Sequence, residues 1–286
     1  MTVKASDLNA LSIEQVELKV QAERLRKGRR DRSAEVAYPL LTLLLLLVAW
    51  EAGADVFDMP TYLLPSPSDV VMSAVTNYKL ILQASWVTTI EIVLGFTLSV
   101  LIGIPLAIAI FQWPPFAKAI YPLLISAQAV PKVAVAPLLV VWFGFGLMPK
   151  VLIAFLIAFF PIVINTVMGL QSIEREKIYL ARSMGLSSFD TFRLIRLPNA
   201  MPSIFAGLKI SITLAVVGAV VGEFVGGDAG LGYQLMIANG SMDTALLFAG
   251  ILALTILGFL LFSLIEIAER IAMPHAERAT GAGGTA

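Results

Sequence analysis

Six long apolar runs, at 34–50, 86–111, 118–143, 148–170, 203–225 and 245–268, alternate with shorter polar stretches along the 286 residues. A helix that crosses a bilayer needs about 20 consecutive apolar residues, and all but the first run reach that length. The pattern predicts six membrane-spanning helices. All four tryptophans, Trp50, Trp86, Trp113 and Trp142, fall near the ends of runs, where amphipathic rings settle at the two interfaces. Between the first two runs, "LPSPSDVVMSAV" sets proline at a first helical position and Asp69 in the opening turn. That predicts a further helix near 67–83, on the outer surface.

Composition makes the class unambiguous. Apolar residues are 58% of the chain and charged residues 14%, against roughly 45–50% and about 25% in soluble domains. This is an all-α integral membrane protein. With no cysteine, and with one histidine, His275, in a polar tail, disulfides and thiolate metal sites are excluded and no metal centre is expected. The first apolar run begins near Val36, late and badly flanked for a cleaved signal peptide. The expected organisation is a basic cytoplasmic segment over 1–33, one transmembrane domain over 34–272 and a polar tail over 273–286.

Charge placement orients the spans. With the amino terminus inside, seventeen of the twenty Lys and Arg residues fall on cytoplasmic segments, while Lys79 and Lys150 fall on outer loops and Lys132 within the third span. So large an excess assigns both termini to the cytoplasm. "AERLRKGRRDR", Ala22 to Arg32, reads as a solvated juxtamembrane anchor that fixes topology rather than as an anionic-lipid contact or a nucleic-acid patch. Upstream, Leu8, Leu11 and Leu18, with a Ser12–Gln15 capping box, suggest a short amphipathic helix.

The cytoplasmic stretch over 171–198 is charged yet strongly patterned. One helix is expected to start after Ser172, with Glu174 in its opening turn, and to end at Gly185, which suits a left-handed position. Ser187 and Asp190 form a capping box for a second short helix, expected to stop before Pro198. Leu180, Ala181 and Met184 on the first helix, and Phe189, Phe192 and Ile195 on the second, make an apolar ridge with a basic rim.

This segment resembles the coupling loop of binding-protein-dependent ABC-importer permeases, whose motif reads E-A-A-x(3)-G-x(9)-I-x-L-P. Ala181, Gly185, Ile195, Leu197 and Pro198 match it in register; Tyr179 and Leu180 depart from it. Resemblance extends from about Leu64 to Ala268 through "GFTLSVLIGIPLAI", "APLLVVWFGFG", "FFPIVINTVMGL" and "GLGY". It is strongest toward the nitrate, sulfonate and taurine branch and, in "AQAVPKVAVAPL" and Glu91, toward permeases for pyrimidine thiamine precursors and riboflavin. The resemblance implies a MetI-like type I permease in the bacterial inner membrane that imports a small organic solute by alternating access. It implies two separate ATPase subunits that receive the coupling loop, a second permease copy and an extracytoplasmic solute-binding protein. The chain has no G-x-x-x-x-G-K-[ST], so ATP hydrolysis is expected elsewhere and no cofactor here.

Candidate path residues lie within the spans. Lys132 should face the bundle interior, either to meet an anionic or polar solute, to pair with Glu91 or Glu223 at a gate, or to form a purely structural pair or snorkel. Gln128 and Asn165 are further candidates, as solute contacts or as helix–helix hydrogen bonds. Pro122, Pro131 and Pro137 mark the third span as interrupted and pore-lining. The competing reading is an ion-coupled secondary transporter that uses Lys132, Glu91 and Glu223. A membrane enzyme has less support, because neither a G-x-S-x-G elbow nor an H-E-x-x-H helix is present.

Overall fold

The computed structural model describes residues 37–273. The basic segment 1–33, its amphipathic helix and the tail beyond Met273 lie outside the described residues. Every regular element among the described residues is helical, and the chain divides into two units at Asp69 and Val70.

In the first unit, α1 (Ala37–Val56) is the first spanning helix, exposed along nearly its whole length. The turn after it leads to α2 (Pro67–Thr76), which straddles the boundary. Ser66 and Asp69 form a reciprocal capping box: Asp69 N–H donates to Ser66 Oγ at 3.2 Å and Ser66 N–H to Asp69 Oδ2 at 3.3 Å. Glu51 accepts from both the backbone N–H and the hydroxyl of Ser68, at 3.0 and 2.6 Å. The helix expected over 67–83 is broken at Asn77, because the chain turns there into the next span.

The second unit is built on α3 (Tyr78–Gln112), α6 (Leu147–Gln171) and α9 (Leu197–Gly226). On α9, Gly207, Ser211, Ala215, Gly218 and Gly222 recur at spacings of three and four on one buried face. A Cβ on Gly218 would lie 2.6 Å from the Cα of Ala154, and one on Gly207 would lie 2.8 Å from the Cβ of Asn165. The two backbones therefore run antiparallel in near contact. In lipid, where apolar burial gives no advantage over hydrocarbon, such stripes of small residues let dispersion and close packing hold helices together. Ile92, Ala158, Ile212, Ala219 and Leu261 close the centre, the last from α11 (Thr244–Ala272). Lys209 and Glu269 join α9 to α11 by an ion pair.

The span expected over 118–143 is two helices, α4 (Pro114–Gln128) and α5 (Lys132–Phe143), bent by 96° at the break. Pro122 and Pro137 stay inside helices. Pro131 breaks the chain, since it donates no hydrogen bond and drives Val130 out of the α region. Among the described residues, five helices are long and apolar enough to cross a membrane, six if the bent pair is one span. The remaining elements are α7 (Arg175–Ser183), α8 (Ser188–Thr191), a π-helical segment Phe192–Arg196 and α10 (Leu231–Gly240).

Candidate functional site

At the end of the spanning helices that carries the 171–198 segment, α7 stops in a Schellman turn. Leu186 N–H donates to Ala181 O at 3.1 Å and Gly185 N–H to Arg182 O at 3.0 Å, with Gly185 at φ +78°. The expected Ser187–Asp190 box is formed, Asp190 N–H donating to Ser187 Oγ at 3.1 Å and that hydroxyl to Asp190 Oδ2 at 2.5 Å. Two expectations are corrected. Ser172 caps the carboxyl end of α6 through Gly169 O at 2.9 Å, so Glu174 precedes α7 rather than lying in its first turn. The second coupling helix also does not stop before Pro198. It continues through the π-helical segment into α9, where Pro198 is the second residue and donates no backbone hydrogen bond to the turn before it.

The matched positions divide by role. Ala181 is buried and fixes α7 to the loop; Ile195 and Leu197 are half-buried; Gly185 and Pro198 are exposed. The apolar ridge expected along both helices splits accordingly. Leu180, Met184 and Phe189, together with Tyr179 and Leu194, are exposed, while Phe192 and Leu197 pack on the buried cluster of Leu170, Ala200 and Ile204, against which Ile104, Ile108 and Phe111 of α3 also pack. The Arg196 guanidinium lies 4.7 Å from the Phe111 ring centroid and, with Gln112, Ser188, Phe189 and Phe192, lines an open cavity of about 550 Å³. The loop is thus seated at the adjoining ends of α3, α6 and α9, with Leu180, Met184 and Phe189 left exposed.

At the opposite end of the same helices lies a charged cluster. Glu91 (α3), Lys150 (α6), Glu223 (α9) and Thr88 (α3) are at most 2% exposed. Lys150 Nζ forms an ion pair with Glu91 Oε1 at 3.0 Å and donates to Asp228 Oδ1 and to Ala229 O, each at 3.2 Å. Glu223 lies beside Glu91 and accepts from Thr88 Oγ1 at 2.6 Å and from Gly232 N–H, while Leu231 N–H donates to Thr88 Oγ1 at 2.8 Å. The loop "GGDAGLGY" is therefore folded around a glutamate. Gly230, at φ +112°, has no alternative, because a Cβ there would collide with Glu223 Oε1. Asp228, mostly exposed, is held below its ordinary carboxylate range first by its hydrogen bond from Lys150.

This geometry corrects the expected pairing. Lys150, read from sequence as an outer-loop charge, is the counter-ion of Glu91, and Lys132 is not. Lys132 opens α5 at the break, half-buried, donating to Gln128 O at 3.2 Å with its ammonium 4.9 Å from the Phe160 ring centroid. Gln128 is exposed. Asn165 Nδ2 donates to Pro161 O at 2.8 Å within its own helix, beside Gly207. Sequence reasoning missed Lys150, Thr88 and Asp228. The signal was a lysine in the first turn of a span following the glycine at 146, read together with a lone aspartate in a glycine-rich loop.

The family of binding-protein-dependent transport system inner membrane components matches residues 99–272. The chain belongs to this family. It is 37% identical over 244 residues to the formylaminopyrimidine transport permease of Halalkalibacterium halodurans, a match covering 85% of this chain and 97% of that one. It is 39% identical over 252 residues to the riboflavin transport permease of Chloroflexus aurantiacus, covering 87% and 93%. In fold it is similar to the MetNI methionine ABC transporter solved in inward-facing conformations, with a TM-score of 0.59 at 19% identity, covering 69% of this chain and 98% of that one. The chain is thus an ABC-importer permease subunit of the MetI-like fold, and the ATPase of such an importer is a separate subunit.

Proposed function

We propose that two copies of this permease, two ATPase subunits and an extracytoplasmic solute-binding protein form an importer in the bacterial inner membrane, with both permease termini cytoplasmic. The observation that carries this reading is the coupling loop: its exposed Leu180, Met184 and Phe189 offer a docking face, while its half-buried Phe192 and Leu197 pack on Leu170 of α6 and on Ala200 and Ile204 of α9, and Arg196 lies over Phe111 of α3. A partner that moves the face moves the helices. ATP-driven closure of the ATPase pair draws the two loops together and opens the outer side to the docked binding protein; hydrolysis restores the inward-open state.

The solute is proposed to be a small nitrogen heterocycle. Support comes from the two permeases for formylaminopyrimidine and riboflavin, at 37% and 39% identity, against 30% and 29% for those named for aliphatic sulfonates in Bacillus subtilis and taurine in Escherichia coli. All of these solutes carry oxygen or ring-nitrogen acceptors.

Uptake of radiolabelled riboflavin and of a formylated aminopyrimidine into cells expressing the complete system tests both parts. Import of at least one is expected to cease with orthovanadate, which arrests ATP turnover, and to survive a protonophore while ATP is maintained. Import abolished by the protonophore and indifferent to orthovanadate contradicts the ATP-driven assignment.

A further inference from the structure

We infer that the elbow between α4 and α5, completed by the same elbow of a second copy, is the solute-recognition site, and that Lys132 and Gln128 there select a small solute by its anionic or carbonyl acceptor edge. This rests on the reading of the chain as one of two permease copies.

The Lys132 ammonium lies against Phe160, next to the midpoint of α6, a helix of 25 residues that is about 37 Å long and so spans the hydrocarbon core. The elbow is therefore near the bilayer centre. Lipid there offers no hydrogen bond to the interrupted backbone between Gln128 and Lys132. Such a break persists at that depth only where protein covers it or water lines it.

Gln128, Ala129 and Val130 are exposed and Lys132 is half-buried on the chain itself. An ionisable side chain in this position faces a bundle interior or an aqueous path. A second copy across the path supplies that interior, and brings a second ammonium and a second carboxamide.

The donor set fixes the ligand chemistry. Lys132 spends one donor on Gln128 O at 3.2 Å, and no carboxylate among the described residues pairs with it. Glu91 and Glu223 are committed to Lys150, Thr88 and the Gly232 backbone. The other ammonium protons are left to an acceptor from outside the described residues, and an ammonium accepts nothing in return. The Gln128 carboxamide reads a neighbouring donor or acceptor, so the site favours a solute with an acceptor edge and rejects cations.

The chain has no cysteine, so Gln128→Cys gives a single reporter. Assembled transporter in membrane vesicles is treated with two methanethiosulfonate reagents of opposite charge, the sulfonatoethyl and the trimethylammonioethyl compounds. The introduced thiol is expected to react with both, and the rate ratio of anionic to cationic reagent is expected to fall about tenfold when Lys132→Gln is added, as for loss of a unit charge within about 10 Å. A thiol at position 128 that neither reagent reaches, or a ratio that Lys132→Gln leaves unchanged, overturns the proposal. ATPase subunits recovered with the Gln128→Cys chain separate the two readings: their presence with an unchanged ratio removes the site alone, and their absence from wild type removes the permease pair as well.

Discussion

Replacing Gly185 by valine is expected to lower ATP-driven uptake by about tenfold while the thermal unfolding midpoint of the purified chain stays within a few degrees of wild type. Gly185 sits at φ +78°, where an L side chain costs about 1–2 kcal/mol and a β-branched one is disfavoured further. The space around it is open, with no atom within 4 Å of a built Cβ. Loss would therefore come from the backbone, through the Schellman turn that sets the angle between α7 and α8. An unfavourable free energy of that size depopulates the docking-competent loop by roughly five- to thirtyfold, and α3, α6 and α9 do not depend on it. Gly185→Asn, which tolerates the left-handed region, should keep most of the uptake. Wild-type uptake with valine, or equal loss with asparagine, would break the link between this turn and coupling.

Lys150→Met should destabilise the folded chain by about 3–5 kcal/mol, because it leaves the fully buried Glu91 without its counter-ion and with Glu223 alongside. Glu91→Gln combined with Lys150→Met should recover much of that loss, since removing both charges removes the uncompensated one. Denaturant unfolding of the purified single and double variants checks this. A strictly additive double variant would show that the two groups do not act on each other. Asp228→Asn should cost far less, its carboxylate being mostly in water. Because the Asp228 carboxyl is held below its ordinary value, its contribution is present above the ordinary carboxylate range and fades only as pH falls through the lowered one.

What was legible in the sequence follows from where the deciding interactions lie. The spans are written in local hydrophobicity, and the Gly185 and Ser187 turns in local hydrogen bonding, so both emerge from short windows. Charge pairing is not local. Thr88 and Glu223 are 135 residues apart, and which of Lys132 and Lys150 meets Glu91 depends on the register of α3 against α6, set by contacts such as that of Gly95 with Ala154. The elbow was half legible: three prolines marked the third span as interrupted, yet only Pro131 bends it, while the other two are accommodated within helices. Pro198 misled for a related reason. Proline ends a helix from within but opens one readily, and the π-helical turn before it lets one helix pass into the next.

The most direct measurement is a cross-link from the coupling face. Met184→Cys and Phe189→Cys are each the sole cysteine in the chain, and both positions are exposed. Treated in membranes with a short thiol-to-amine cross-linker, each is expected to yield a covalent adduct with a P-loop ATPase subunit, identified by mass spectrometry, whereas Leu101→Cys, exposed on α3, is not. Adducts at all three positions alike, or none with an ATPase from Met184 and Phe189, would contradict the assignment of this loop as the element through which ATP drives the permease.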